Sequence, residues 1–300
     1  MISLAAIRDL LLPGVRKLTG DYKVIPTQWS QIFKSENSKM AVERTIEMRF
    51  MGLPTLKSEG AATSFDNDAG QRFTYHQEHV EIGLGYAITR KAVDDNLYKS
   101  QFNPSNKGLM KSFNQFDEIR AADVLNTATT FNPYIIGDSK ALCATDHPVD
   151  GNVLANRPTT DMDLNENSIL SGAIQVRQFR DQAGLKVMAR TQDLIIPIQL
   201  EYVAERLTKT ELRPGTANND VNAIRTAGVL PKGTKVMDFL TSSTSWFMGT
   251  DQDGLLHMNR IPFETDMHTD PITGNLLVVG YQRNSFGFES WRGIWGSFPS

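Results

Sequence analysis

The chain has 300 residues, of which 40% are apolar and 9% aromatic, and this length and composition are typical of about two globular domains with a sizeable core. Its net charge of -3 argues against the proteins that wrap nucleic acid by neutralising phosphates, because those carry a strong basic excess. A single cysteine, Cys143, excludes an intramolecular disulfide framework, and no stretch reaches the roughly 18 consecutive apolar residues that a membrane-spanning helix needs.

Two N-terminal segments precede the first clear periodicity. Apolar residues recur on one side of residues 3–12 until Pro13-Gly14, which predicts a short amphipathic helix. Residues 20–40 carry large side chains such as Trp29 and Phe33 among polar ones, without a period. Such a segment packs either on a neighbouring molecule or as an irregular strap over its own domain, and the pattern alone favours the strap.

A period-two pattern from residue 44 predicts a strand with a buried apolar face and a polar outer face. A second β run covers residues 73–88, and its phase changes between Gln77 and Val80, which indicates a bulge or a crossing between two sheets. Residues 51–71, between the runs, are polar and far longer than the usual connection of roughly 4–6 residues. We therefore predict a projecting hairpin that lies on another surface. The apolar residues of its first strand are Ile46, Met48 and Phe50.

A short helix is predicted over residues 89–98 and a long one-sided helix over residues 105–129, starting at Asn103-Pro104-Ser105-Asn106. Seven residues form the predicted apolar arc of the long helix: Leu109, Met110, Phe113, Phe116, Ala121, Val124 and Ala128. The predicted polar face contains Lys111, Gln115, Glu118 and Asn126.

A different pattern follows. A helix over residues 163–181 closed by Gly184, a buried strand over 194–197 and a helix over 200–207 together predict an α/β unit. The turn-forming loop 213–220 is expected at its surface. Further strands are predicted over residues 236–240 and 245–248 and within the aromatic-rich segment 255–300.

The chemical motifs are few. Cys143, Asp146 and His147 could form a nucleophile and base, but neighbours in sequence seldom meet in that geometry, so we favour a simple turn. His76 and His79 have a metal-like spacing for a helix, yet they lie in a β run and would face opposite sides, so we expect an exposed pair. The sequence predicts no catalytic residue, no metal site and no cofactor.

Seven short motifs, taken in order along the chain, carry a family resemblance. They are Leu12-Pro-Gly-Val15, Pro26-Thr-Gln-Trp-Ser30, Ile88-Thr-Arg90, Asp94-Asp-Asn-Leu-Tyr98, Ala141-Leu-Cys-Ala-Thr-Asp-His-Pro148, Gly215-Thr-Ala-Asn-Asn-Asp220 and Trp291-Arg-Gly-Ile-Trp-Gly-Ser297. With the order of the predicted elements, they resemble the major capsid proteins of tailed bacteriophages, which have the Hong Kong 97-like fold. The chain is most similar to the Mu-like major head subunit family.

This resemblance implies an α+β protein and a division of the chain into an N-terminal arm, an extended hairpin loop, a peripheral domain with a spine helix and an axial domain. The implied bounds are 1–40 for the arm, 41–88 for the hairpin, 89–136 with 251–300 for the peripheral domain, and 137–250 for the axial domain. The implied contacts between subunits are Trp29, Phe33, Leu53, Leu56, Lys57, Phe65, Arg213, Asn218 and Asn219.

The resemblance also implies a structural, non-enzymatic subunit that assembles with itself in pentamers and hexamers into an icosahedral shell around double-stranded DNA. Further implied partners are a separate scaffolding protein, a portal and a cement protein, with no membrane. The implied location is the virion capsid, assembled in the host cytoplasm.

Two alternatives stay open from the sequence. An encapsulin-type bacterial nanocompartment has the same fold but encloses protein cargo, so the contents of purified particles would separate it from a viral shell. A Cys/His hydrolase would instead depend on Cys143, so unchanged particle yield in a Cys143→Ala variant would argue against it.

Overall fold

The structure is a computed structural model that describes residues 27–94, 98–212 and 220–299. The strands are β1 Lys34–Asn37, β2 Val42–Arg49, β3 Gly70–Glu78, β4 Val80–Ile88, β5 His147–Val149, β6 Asn152–Leu154, β7 Thr191–Ile196, β8 Thr234–Val236, β9 Trp246–Thr250, β10 Leu255–Thr269, β11 Leu276–Phe288 and β12 Ile294–Ser297. The α-helices are α1 Arg90–Asp94, α2 Tyr98–Asn126, α3 Glu166–Arg177, α4 Glu201–Lys209 and α5 Ala223–Thr226. This mixture confirms the predicted α+β class.

The first four-stranded sheet has the order β1-β10-β11-β4. Strand β1 runs parallel to β10, and the other pairs are antiparallel. Helix α2 crosses one face, where its buried Ala121, Ala122 and Leu125 pack in one cluster with Phe288 of β11. Because β10 and β11 are long and share one face with α2, this sheet and helix make an extended, rigid layer.

The second four-stranded sheet has the order β12-β9-β7-β8 and packs against α3. Three fully buried tryptophans, Trp246, Trp291 and Trp295, belong to its core. Gly172 of α3 permits the close contact, since a Cβ there would lie 3.1 Å from the Trp295 ring. Trp291 and Trp295 of the aromatic-rich C-terminal segment therefore belong to this core, whereas Phe286, Phe288 and Phe298 pack in the cluster of the first sheet.

A corner at His79 separates the two β runs of the hairpin region. Strand β3 pairs with β2 in a two-stranded sheet, whereas β4 pairs with β11 in the first large sheet. The predicted crossing between sheets is thus confirmed, and β2–β3 is a separate ribbon leaving the body of the molecule.

Helix α2 differs from its prediction in its bounds and in two residues. It begins at Tyr98 and ends at Asn126, so Pro104 lies inside the helix, where it lacks a backbone N–H to donate to the preceding turn. Phe116, predicted inside, is 43% exposed, and Glu118, predicted outside, is buried. The Glu118 carboxylate accepts hydrogen bonds from the backbone N–H groups of Gln28 (2.6 Å) and Trp29 (3.1 Å), so the N-terminal strap covers it.

Other predicted bounds also change. Helix α3 ends at Arg177, well before Gly184, which occupies a separate turn with φ +77°. The strand predicted over residues 236–240 is mostly absent, since β8 ends at Val236. The helix predicted over 89–98 contains α1, while residues 95–97, the predicted helix 3–12 and most of the loop 213–220 lie outside the described residues.

Candidate assembly surfaces

Strand β2 of the β2–β3 ribbon presents its apolar residues outward, which is the reverse of the prediction. On β2, the side chains of Glu47 and Arg49 point to the body and are 14% and 9% exposed. Ile46 and Met48, on the opposite face, are 48% and 45% exposed, and Phe50 is 69% exposed. The predicted alternation on β2 is present with its phase inverted, because Glu47 and Arg49 bind charged and polar partners on the body, while the same inward face of β3 carries Phe73 and the buried Tyr75.

Glu47 anchors the ribbon to the C-terminal part of the chain. Its Oε1 atom accepts hydrogen bonds from the Arg292 guanidinium, which is 7% exposed, and from Gln182 Nε2 at 3.0 Å. Arg292 Nε also donates to the carbonyl oxygen of Arg180 at 2.7 Å, and its guanidinium lies 4.5 Å from the Trp291 ring centroid. Removing one member of a buried ion pair leaves an uncompensated charge, so this contact fixes the orientation of β2.

Arg49 makes a second anchor nearer the tip. Its guanidinium lies 3.3 Å from Asp66, 3.9 Å from Asp68 and 3.8 Å from Asp150. The backbone N–H groups of Gly52 and Asp68 donate to the Asp66 carboxylate, and these bonds, more than Arg49, lower the pKa of Asp66. The two ends of the loop between β2 and β3, at Gly52 and Asp66, are therefore joined to each other and to Arg49. Asp150 belongs to the turn between β5 and β6.

A strained turn clamps the base of β3. His76 N–H donates to the carbonyl oxygen of Ile135 at 2.9 Å, and Gly137 N–H donates to that of Thr74 at 3.1 Å. Between them Ile136 has φ +63°, a costly value for a β-branched residue. At Gly137 a Cβ would lie 2.3 Å from the Tyr75 ring, so only glycine fits beside this buried tyrosine. The ribbon is thus held on both strands at its base.

The tip of the hairpin exposes four of the residues expected to contact neighbouring subunits. Leu53, Leu56 and Phe65 are 78%, 105% and 85% exposed, and Lys57 is also exposed. Large apolar side chains gathered on one projecting loop are typical of an interaction surface. These four residues are accessible for contact, and their role stays a prediction.

Two other expected contact residues lie in the chain's own core. Phe33 is 4% exposed, and its ring meets that of Phe286 at 5.4 Å. Trp29 packs on His257 at 4.4 Å and on Phe286 at 5.3 Å. The strap interpretation is therefore correct for the described part of the N-terminal segment, where Phe33 is buried and Trp29 is half-buried, and their contact with a neighbour stays a prediction. Arg213, Asn218 and Asn219 lie outside the described residues.

His79 is buried, so the expectation of an exposed histidine pair is wrong for this residue. Its Nδ1 atom lies 3.0 Å from Ser285 Oγ and its Nε2 atom 2.8 Å from Ser38 Oγ. Burial lowers the pKa of His79, which favours the neutral ring. It joins the strap, the hairpin corner and β11, a role that the sequence did not signal because these partners are distant along the chain.

Cys143 and His147 do not form a nucleophile and base. His147 Nδ1 lies 2.6 Å from Asp138 Oδ2 and Nε2 lies 3.1 Å from Asn156 Oδ1, so both ring nitrogens are engaged. The ring stacks on Trp291 at 4.3 Å. Cys143 is buried, and burial raises the pKa of its thiol. Instead of a turn, His147–Val149 forms β5, and the turn follows at Asp150 and Gly151.

Two further searches were confined to the described parts of the chain. No group of three or more His, Cys, Asp or Glu residues there could hold a metal ion. No helix in the same residues combines the length and apolarity needed to cross a membrane.

Comparison with known proteins gives a family and a fold. The profile of the phage capsid protein family matches residues 78–295, whereas a search of curated proteins finds no match. The capsid of an empty GTA particle has a TM-score of 0.58 at 12% identity, over 94% of this chain and 97% of that chain. A virus-like particle from Pyrococcus furiosus has a TM-score of 0.55 at 8% identity, over 95% of this chain and 98% of that chain. The procapsid of bacteriophage JBD30 has a TM-score of 0.53 at 14% identity, over 100% of this chain and 77% of that chain.

At identities this low, the structural likeness shows the shared fold and nothing finer. The sequence match carries the family, and it begins at residue 78, at the corner where the ribbon meets β4. Because that match spans most of the chain and the shared fold extends over nearly all of it, the chain belongs to the phage capsid protein family, as a structural shell subunit with the Hong Kong 97-like fold.

Proposed function

We propose that this capsid subunit assembles with itself in pentamers and hexamers to close an icosahedral shell around double-stranded DNA, and that its hairpin 41–88 lies on a neighbouring subunit. The inverted ribbon is the observation that carries the proposal. Its charged face is bound to its own body through Glu47 and Arg292, while Ile46 and Met48 face outward. A ribbon of two strands gains stability by covering such a face.

The energetics favour many modest contacts in place of one large one. Burying an aliphatic side chain contributes roughly 1.5–3 kcal/mol, so each partly exposed residue of the ribbon adds about 1 kcal/mol when a neighbour covers it. Linked contacts raise the effective concentration of each other, so a shell can be stable although each pairwise contact is weak. The polar tip loop also keeps the unassembled subunit in solution.

The proposal includes a domain map. We assign 1–40 to an N-terminal arm, 89–136 with 251–300 to a peripheral domain with α2 as its spine, and 137–250 to an axial domain that surrounds the symmetry axes. The first large sheet with α2 and the second large sheet with α3 support two units, and β12, although within 251–300, pairs with β9 in the second sheet. The Mu-like subfamily assignment rests on the order of the sequence motifs.

The partners follow from this role. We propose a separate scaffolding protein, a portal and a cement protein, assembly in the host cytoplasm, and no enzymatic activity or cofactor. The engaged nitrogens of His147 support the non-enzymatic role. A net charge of -3 supports loose, non-specific contact with the packaged DNA. The family match to phage capsid proteins favours a viral shell over an encapsulin-type compartment.

Replacing the outward face of the ribbon tests this proposal. An Ile46→Thr/Met48→Gln variant should remain folded and soluble but lose shell formation, because both side chains are partly exposed in the single chain. Particles are scored by electron microscopy and sedimentation, with any required scaffold co-expressed. The matched control is Ile174→Thr/Met188→Gln, which changes two exposed apolar residues outside the hairpin. Normal shells in the ribbon variant, or equal loss in the control, would contradict the proposal.

A further inference from the structure

A rigid loop, residues 177–190, starts at the last residue of α3 and leads to β7. The Asp181 carboxylate accepts hydrogen bonds from two backbone N–H groups of the same loop, at 2.9 and 2.8 Å. Arg180 and Lys186 face each other in an isolated antiparallel bridge, and Arg292 Nε donates to the Arg180 carbonyl oxygen at 2.7 Å. The backbone of this loop is therefore fixed in the single chain, before any partner binds.

Four exposed cations lie on the loop, namely Arg177, Arg180, Lys186 and Arg190. In the described part of the chain, no carboxylate oxygen lies within 4.0 Å of their side-chain nitrogens. Other exposed cations nearby in the sequence do have such partners, since Lys140 pairs with Asp146 and Lys209 with Glu205. We call residues 177–190 the basic loop.

The carboxylates around the basic loop are already engaged. Asp181 is the one acidic residue within it, and it binds the loop's own backbone. Asp150, which lies beside Gly184, is 3.8 Å from the Arg49 guanidinium. Asp251 accepts a hydrogen bond from the backbone N–H of Arg190 at 2.9 Å. The loop therefore keeps an excess of positive charge, although the whole chain has a net charge of -3.

The second half of the basic loop presents its polar side chains as a row. Lys186, Met188 and Arg190 are exposed, whereas Val187 is half-buried and Ala189 is buried. Met188 has φ +57°, which is uncommon for a residue other than glycine, and strained positions of this kind concentrate at functional sites. The row is thus held outward by a backbone conformation that has an energetic cost.

We propose that the basic loop is the surface through which the shell subunit contacts the phosphate backbone of the packaged double-stranded DNA. Guanidinium and ammonium groups form charge-assisted hydrogen bonds with phosphate oxygens. A duplex carries one phosphate per roughly 1.7 Å of its axis, so a fixed row of cations meets phosphates in any register. Such contacts carry no sequence information. The inference rests on the proposed function and places this loop on the inner side of the shell.

The composition of the loop favours a polyanion over the surface of another subunit. The centre of a protein interface is depleted in charged residues and buries apolar ones. The basic loop has a single large apolar side chain that is exposed, Met188, among four cations. Nucleic acid needs no apolar surface for non-specific binding, because phosphate neutralisation supplies the affinity.

Neutralising two of the cations tests the proposal in the unassembled subunit. Binding of Lys186→Gln/Arg190→Gln to a short duplex, followed by fluorescence anisotropy at several salt concentrations, should weaken about tenfold at low salt. The slope of log affinity against log salt should fall by about 2. The control Lys107→Gln/Lys111→Gln removes the same charge from two exposed positions of α2 and should leave the slope unchanged. Equal effects of the two variants, or an unchanged slope in the first, would overturn the inference.

Photocrosslinking tests the contact in the particle. Ultraviolet irradiation of DNA-filled shells that carry Met188→p-benzoylphenylalanine should yield a protein–DNA adduct, and shells with Ile272→p-benzoylphenylalanine should yield at least about fivefold less. Ile272 is the matched control because it is 91% exposed, in the turn between β10 and β11. Equal adducts at the two positions, or an adduct at position 188 only when DNA is added outside empty shells, would overturn this inference while leaving the proposed function standing.

Shell formation by the Lys186→Gln/Arg190→Gln variant separates the two possible partners. Normal shells that bind DNA more weakly are the expected result, since the proposed contact is with the packaged DNA. Loss of shells with unchanged DNA binding would instead assign the loop to an acidic surface of another subunit, and would overturn the inference. A failure of the unmodified protein to form shells would count against the proposed function itself.

Discussion

Arg292 and Glu47 are separated by most of the chain, yet they form the contact that sets the direction of the ribbon. The Arg292 and Glu47 side chains are 7% and 14% exposed, so water screens their interaction little. The geometry around Arg292 also involves the Arg180 carbonyl and the Trp291 ring, which hold the guanidinium in place. The position of the hairpin is therefore determined by a few side chains at its base.

A Glu47→Gln substitution should lower the free energy of unfolding by roughly 3 kcal/mol, because it leaves the buried Arg292 charge without its carboxylate. Urea denaturation of the unassembled subunit measures the change. The matched control, Glu59→Gln, alters an exposed carboxylate of the same hairpin and should change stability by less than about 0.5 kcal/mol. Equal effects of the two substitutions would show that the anchor contributes nothing.

His257 should make the subunit less stable in mild acid. Burial, with smaller effects of Arg120 and His79, lowers the pKa of His257 to about 4 from its ordinary value of 6.5. The unfolded chain therefore binds this proton more readily, and stability falls as the pH drops from 6.5 towards 4. This pKa difference corresponds to at most about 3 kcal/mol.

Urea titrations of the unassembled subunit at several pH values measure this dependence. His257 lies between the Trp29 and Phe286 rings, so a His257→Phe variant preserves the packing and should have a flatter profile between pH 6.5 and 4. An unchanged slope in this variant would mean that other groups cause the acid sensitivity.

At the scale of elements, the ribbon shows what a sequence pattern determines. Alternation along β2 predicts two faces, but it does not say which face meets the protein, because that depends on a surface built by Gln182 and Arg292 far along the chain. Helix α2 shows the same limit, since Glu118 is buried by strap residues that no periodicity includes. The crossing at His79 was predictable because a phase change is a local signal.

Deleting the hairpin tip tests whether it belongs to the folding core. Residues 54–64 are exposed, whereas Asp66 binds Arg49 and Gly70 begins β3, so the deletion should stop before Asp66. A variant lacking 54–64 should unfold cooperatively within about 0.5 kcal/mol of the unmodified subunit, because few buried contacts are lost. Shells should not form. Loss of the cooperative transition would show that the tip is part of the core.

At the scale of the whole molecule, assembly into a shell explains exposed apolar surfaces that an isolated subunit does not need. Strand β2 is held to the body through Glu47 and Arg49 and exposes Ile46 and Met48, while Val80 and Leu84 of β4 are exposed on the body. The family could be predicted from the order of the motifs and predicted elements, and the α+β class from the family resemblance. The burial of Phe33 and the half-burial of Trp29 follow from the strap pattern, whereas the contacts between subunits are implied only by the family resemblance and stay predictions.

Electron cryomicroscopy of the purified protein, with any required scaffold co-expressed, tests this account most directly. We expect closed icosahedral shells in which the Ile46 and Met48 face of every ribbon is covered by an adjacent subunit. A protein that remains a monomer under all these conditions, or closed shells in which that face is in solvent, would contradict the account.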